Sequence, residues 1–282
     1  MMNTSVLYES ARSRQRPAMG TRTLVTFLAL TFGLSWVPMS LFFLFADQFT
    51  ALFGEMSSHN PIFLLAVYAP GLSGIVLIWW YYGWKGLSSF FRRLGLWRAP
   101  LPWWLFLLVG IPVIVYTAAA IKGTINSPFP FSPWYMVIPA LVQSLLLGPM
   151  GEELGWRGLA LPLLQRRFSP FWASLILGVI WAVWHAPAFA MSGTPQSAWS
   201  FGPFFIGLLA ITVILTPLFN ASRGSLLIAI LYHLHIMNPI FPDAQPWDNF
   251  LFAIAAAVIV FLNRRQMFSR GSGIIEVLSS DA

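Results

Sequence analysis

Cysteine is absent from this 282-residue chain, and acids are scarce: nine Asp and Glu stand against sixteen Lys and Arg, with only 9% of residues charged. The missing thiols exclude disulfides, cysteine nucleophiles and thiolate metal sites, so any chemistry must use carboxylate, imidazole, amide or hydroxyl groups. The shortage of charge excludes an ordinary solvated surface for a chain that is 57% apolar. The His-Glu-x-x-His helix signature of zinc proteases does not occur. Internal repeats, low-complexity blocks and long linkers are missing too, which argues for one folded unit.

What the chain has instead is long apolar runs, near 23–46, 61–83, 102–121, 135–165, 170–190, 202–219, 224–240 and 249–263. A helix rises ~1.5 Å per residue and the hydrocarbon core is ~30 Å thick, so ~20 apolar residues make one crossing. The pattern predicts an all-α polytopic membrane protein with about eight transmembrane helices. The net charge of +7 is not read as a nucleic-acid signal, because the cations mark every second junction. Arg12, Arg14, Arg16 and Arg22 precede the first span; Lys85, Arg92, Arg93 and Arg98 follow the second. Arg166 and Arg167 follow the fourth, Arg223 the sixth, and Arg264, Arg265 and Arg270 the eighth. The intervening loops hold Asp47, Glu55, Asp243 and Asp248, with Lys122 the sole cation. The positive-inside rule then places both termini in the cytoplasm of a multi-pass inner-membrane protein.

Residues 1–22 are expected to be a disordered cytoplasmic tail, 23–265 a single transmembrane domain with its motif core at 135–240, and 266–282 a second, loosely ordered cytoplasmic tail. The first apolar run is too long for a removable leader and reads as an uncleaved anchor. Trp79, Trp80, Tyr81, Tyr82 and Trp84, then Trp103, Trp104, Trp134 and Tyr135, fall where interfacial belts belong. Residues 84–100 read either as a short helix on the inner surface or as a basic loop.

Within the spans the only carboxylates are Glu152 and Glu153; Arg157 is the one guanidinium close to them, and the imidazoles are His185, His233 and His235. Intramembrane acids are costly and mark function by default. Successive helical residues turn ~100°, so the two glutamates face different ways. Glu153 and Arg157, four apart, share a face and compensate each other. Glu152 is left without a local partner, free to act as a general base. The fourth and fifth spans form a hairpin turning near Phe168-Ser169-Pro170, and Glu152 and His185 lie equally far from that turn. Straight helices would bring both to one depth, ~24 Å away, where they could share a water molecule. Ala186-Pro187 allows a kink just beyond His185, and an imidazole of the seventh span could stabilise an oxyanion.

Glu152-Glu153-x-x-x-Arg157, then Trp181-x-x-x-His185, then His233 after Gly224-Ser225 resemble the CAAX-protease and bacteriocin-processing (CPBP, or Abi) family over roughly residues 135–240. Its members are polytopic intramembrane endopeptidases, often labelled metalloproteases. The resemblance implies a CAAX-protease-like hydrolase in which Glu152 activates water with His185, Arg157 holds Glu153, and His233 polarises the scissile carbonyl. Two positions depart from the family pattern. Trp181 stands where Phe is usual, which keeps an aromatic wall, and Met237 stands where Asn is usual, with Asn238 one residue later. On a continuous helix that single step turns Asn238 away from His233. A π-bulge near Pro239 would bring it back; alternatively His235 and Asn238, three apart, share the role.

Glu152, His185 and His233 are also the residue types of an open zinc site, so zinc and metal-free glutamate mechanisms both stay open at this level. The expected partners are membrane lipids and a membrane-associated protein or peptide, not nucleic acid. Two other classes fit the composition: a non-catalytic scaffold or immunity factor on the protease fold, for which Met237 argues, and a proton-coupled transporter, which the missing repeat disfavours.

Overall fold

The computed structural model describes residues 19–279; the expected tail at 1–22 lies outside that range up to residue 18, and Arg22 already belongs to the first helix. The described residues are helical, without strands. The helices are α1 Thr21–Leu44, α2 Ala46–Phe53, α3 Pro61–Arg92, α4 Leu101–Lys122, α5 Val137–Leu146, α6 149–165, α7 Pro170–Trp184, α8 Ala186–Phe189, α9 Phe201–Ala221, α10 Leu226–Ile236, α11 Trp247–Leu262 and α12 Arg264–Phe268. Five stretches are long and apolar enough to cross a bilayer, the fourth being 134–165, which holds α5 and α6. With the shorter apolar helices α7, α10 and α11 they account for all the segments expected. Their outward faces carry large apolar side chains such as Val76, Leu108, Ile138 and Ile254, as lipid contact requires. This is a multi-pass membrane protein.

The spans are less regular than simple rods. Gly83 breaks α3 with φ 65° and ψ −163°, a conformation that only glycine adopts without steric cost. Residues 84–92 then form a separate short helix, followed by a 3₁₀ turn at Arg93–Gly95. The long fourth segment breaks at Leu147-Gly148, and α6 restarts with Pro149 in its first turn, a position that needs no amide hydrogen. Further along, Trp156–Ala160 forms a π-helical turn.

Helix α6 sits at the centre because its glycines let α3 come close. A Cβ on Gly151 would lie 2.8 Å from the Val67 carbonyl oxygen, and one on Gly71 would lie 2.5 Å from the Gly151 oxygen. Gly155 likewise abuts Pro70, and Gly74 faces Leu154. In lipid, where apolar burial gives little drive for association, such close backbone packing is what holds helices together.

The tail expected to be loose is docked over 267–279. Met267 and Val277 are 1% exposed. The Gln165 amide donates to the Ile274 carbonyl, Arg166 donates to Ile275, and the Ser279 amide donates to Ser89. Arg93, expected at the interface with the other cations, is buried and donates to the carbonyl oxygens of Gly158, Gly224 and Val277. A guanidinium has five donors, which lets one side chain bind the π-helical turn, the turn before α10 and the tail together.

Candidate active site

Glu152 lies in the first turn of α6, immediately after the chain break, and is 4% exposed. Its Oε2 accepts a hydrogen bond of 2.6 Å from the indole Nε1 of Trp181 on α7. Its other oxygen has no hydrogen bond among the described residues and faces a cavity of about 470 Å³ that Glu152 lines. Glu153 points elsewhere: its Oε1 accepts from Arg157 Nη1 at 2.9 Å and from His233 Nδ1 at 2.8 Å, and it is not part of the cavity wall. The ~100° step between neighbours on a helix separates the pair.

His185 occupies the break between α7 and α8. Its Nδ1 is 2.8 Å from the Trp181 carbonyl oxygen, which can only accept, so that nitrogen carries the hydrogen. His233 Nδ1 donates to the Glu153 carboxylate in the same way. Both imidazoles line the cavity, and in both the Nε2 atom is left over for chemistry. A hydrogen bond at one ring nitrogen decides what the other can do.

Trp181 joins these groups. Besides its bond to Glu152, the indole lies 5.9 Å from the His185 ring and 5.3 Å from the His233 ring, centroid to centroid, and the Arg157 guanidinium carbon sits 4.4 Å from its centroid. Read from sequence, Trp181 is only a wall; its indole N–H is a polar contact that the usual Phe could not make. The signal was present in the substitution itself, since a buried Trp N–H usually finds an acceptor. Arg157 is 0% exposed and also reaches Thr212 Oγ1 at 3.4 Å, a partner that only the packing of α9 supplies.

Asn238 lines the cavity, but no π-bulge near Pro239 brings it there. Helix α10 stops at Ile236, and Met237 and Asn238 lie beyond it, outside helical phase. The Asn238 carbonyl oxygen of the side chain accepts from the Ile240 amide at 3.2 Å. Met237 also lines the cavity, with its sulfur close to Gly148. His235 does not line it; its ring packs edge-on against Phe241 at 5.2 Å, so the sharing of one role by His235 and Asn238 is not supported. Among the described residues no group of three or more His, Cys, Asp or Glu side chains is placed to hold a metal ion.

Comparison with known proteins points the same way as this geometry. Residues 133–240 match the Rce1-like family, described as type II CAAX prenyl endopeptidase Rce1-like. A CAAX prenyl protease 2 from Methanococcus maripaludis is 30% identical over 181 residues, covering 58% of this chain and 66% of that protein, just under two thirds of its length. The matched stretch contains Glu152, Glu153, Arg157, Trp181, His185 and His233, and both matches support the resemblance to the CPBP family of CAAX-protease-like membrane proteins.

Proposed function

We propose that this protein is an intramembrane endopeptidase that hydrolyses a peptide bond of a membrane-associated protein or peptide. The observation that carries the reading is the convergence of the Glu152 carboxylate, His185 and His233 on one cavity around a single indole. A cavity of about 470 Å³ has room for a peptide bond and water, in the range of ordinary ligand sites.

In this reading Glu152, with His185 Nε2 beside it, takes a proton from water as the oxygen attacks the scissile carbonyl. The carbon–oxygen bond forms and the carbonyl oxygen becomes an oxyanion, to which a protonated His233 Nε2 and the Asn238 amide would donate. Collapse breaks the carbon–nitrogen bond, and the proton taken from water passes to the leaving nitrogen, giving a carboxylic acid and an amine. Glu153 and Arg157 fix the His233 ring and stay out of the proton transfer. These steps need only the side chains named and water.

The deciding experiment is Glu152→Gln in proteoliposomes with membrane-associated peptides. Loss of cleavage by ~10²–10⁴-fold, the usual contribution of general acid–base catalysis, with an unchanged melting temperature, is the expected result. Equal cleavage by both forms would remove Glu152 from the mechanism, and no cleavage by either form would favour the non-catalytic scaffold that Met237 suggests.

A further inference from the structure

Arg93 does not line the active-site cavity, is 2% exposed and makes no salt bridge among the described residues. A cation held this deep without a counter-charge is costly, so its partners are informative. All three are backbone carbonyls left over by regular structure. The α-helical partner of the Gly158 oxygen would be the amide of Pro162, which has no hydrogen. Gly224 precedes the cap residue Ser225, so its oxygen lies ahead of the first bond of α10, and Val277 lies in the irregular tail. Arg93 Nη1 donates to Gly158 at 2.9 Å and to Val277 at 3.0 Å, and Nε donates to Gly224 at 2.9 Å.

Two of these partners belong to the elements that build the site. The π-helical turn around Gly158 contains Arg157, which holds Glu153 Oε1 at 2.9 Å. Gly224 opens into α10, whose His233 Nδ1 meets the same Glu153 oxygen at 2.8 Å. The segment around Arg93 is bound to the start of α10 a second time, since Ser225 Oγ donates to the Leu96 carbonyl while accepting from the Ile228 amide. Glycine at both contact points lets this slot close: a Cβ on Gly158 would lie 2.7 Å from Phe90 Cζ, and one on Gly224 would lie 3.3 Å from Arg93 Nη2. Helix α10 has only 11 residues, so a slip at its start is carried to His233, and one residue of slip is ~1.5 Å.

We propose that Arg93 is a positioning residue: by gripping the π-helical turn of α6 and the turn before α10 with one guanidinium, it sets the register in which His233 meets Glu153, and the docked tail completes the grip through Val277. The planar fork suits this task, because its fixed N–H directions hold several oxygens at a fixed spacing, whereas a lysine ammonium is a point charge on a flexible stem. The consequence for turnover rests on the endopeptidase reading; the effect on the hydrogen bond between His233 and Glu153 does not.

The test is Arg93→Met and Arg93→Lys in the full-length protein, isotopically labelled at histidine nitrogen for magnetic resonance. The Nδ1–H signal of His233, held by a carboxylate, is expected to move or to exchange with solvent in both variants, whereas that of His185, held by the Trp181 carbonyl of its own segment, stays in place. In proteoliposomes kcat should fall by roughly 10²-fold in Arg93→Met, the scale of a ~1 Å misplacement by a remote change. The loss should be smaller in Arg93→Lys, which keeps the charge, and KM should stay nearly constant because Arg93 is not on the cavity wall. A merely structural staple would lower the melting temperature and leave the His233 signal and kcat of the folded protein unchanged, and that result overturns the proposal. If Arg93→Met does not fold, Arg93→Lys and Ser225→Ala, which cuts the second link to α10, are judged by the same two readouts. A displaced His233 signal in a protein whose parent cleaves nothing would support the positioning and overturn the endopeptidase reading.

Discussion

The two ends of α6 carry similar polar residues and treat them in opposite ways. At the arginine end, Gln165 and Asn220 exchange amide hydrogen bonds of 3.1 and 2.8 Å, and Asn220 Oδ1 also accepts from the Ile274 amide. At the other end, Glu152 has one hydrogen bond, His185 and His233 have one each, and the remaining polar atoms face the cavity. Polar groups in a membrane interior normally close on each other, because no water is present to satisfy them. Where they close, they fix the fold; where they are left open around a cavity, they are available for chemistry. Glu153 and Arg157 lie on the boundary: they pair with each other and hold His233, a group that faces the cavity, while Glu153 Oε2 and Arg157 Nε are buried without a hydrogen-bond partner.

That boundary is where the contrast should break most severely. Glu153→Gln leaves Arg157 buried without its counter-charge, and breaking a buried pair costs ~3–5 kcal/mol; thermal unfolding in detergent should show the loss. A melting temperature equal to the parent would mean that the pair is not structural. Next come the two imidazoles of α10. His233→Ala should lower kcat by ~10²–10³-fold, the range for losing an oxyanion donor, whereas His235→Ala, off the cavity, should leave turnover unchanged. Equal losses in a kinetic assay would erase the distinction between the cavity wall and the packing behind it.

A smaller effect is expected at Trp181→Phe, which keeps the wall and deletes the indole donor. Hydrogen bonds to charged groups contribute ~1.5–3 kcal/mol, so kcat should drop by roughly ten- to a hundredfold with KM little altered. An indole N–H resonance that shifts in Glu152→Gln would report the same contact without turnover; a resonance indifferent to Glu152 would refute it. Smallest of all, Asn220→Ala at the closed end should cost ~1 kcal/mol of stability and leave kcat intact. Any change in kcat larger than in stability would show that the two ends are coupled.

Much of this was legible beforehand. The spans expected near 23–46, 61–83 and 102–121 fall on Thr21–Leu44, Pro61–Gly95 and Leu101–Lys122, since a bilayer imposes one length on every crossing. Glu152, Glu153, Arg157, His185 and His233 stood out because ionisable groups are so few that each must have a reason. Less accessible was the break at Leu147-Gly148, which lies inside one apolar run and leaves no gap in hydropathy. The docking of 267–279 was hidden too, because its bonds join residues up to 190 positions apart.

From composition and spacing alone came the membrane environment, the helical class and the short roster of groups able to do chemistry, because lipid tolerates few alternatives to an apolar helix; the family resemblance came from the motifs around Glu152, His185 and His233. Tertiary structure alone decided that Trp181 binds Glu152, that His233 leans on Glu153, that Asn238 reaches the cavity through a helix end and that His235 does not reach it at all. Those outcomes depend on where helices stop and which faces meet, and side-chain contacts between distant segments leave no period in the sequence from which they could be read.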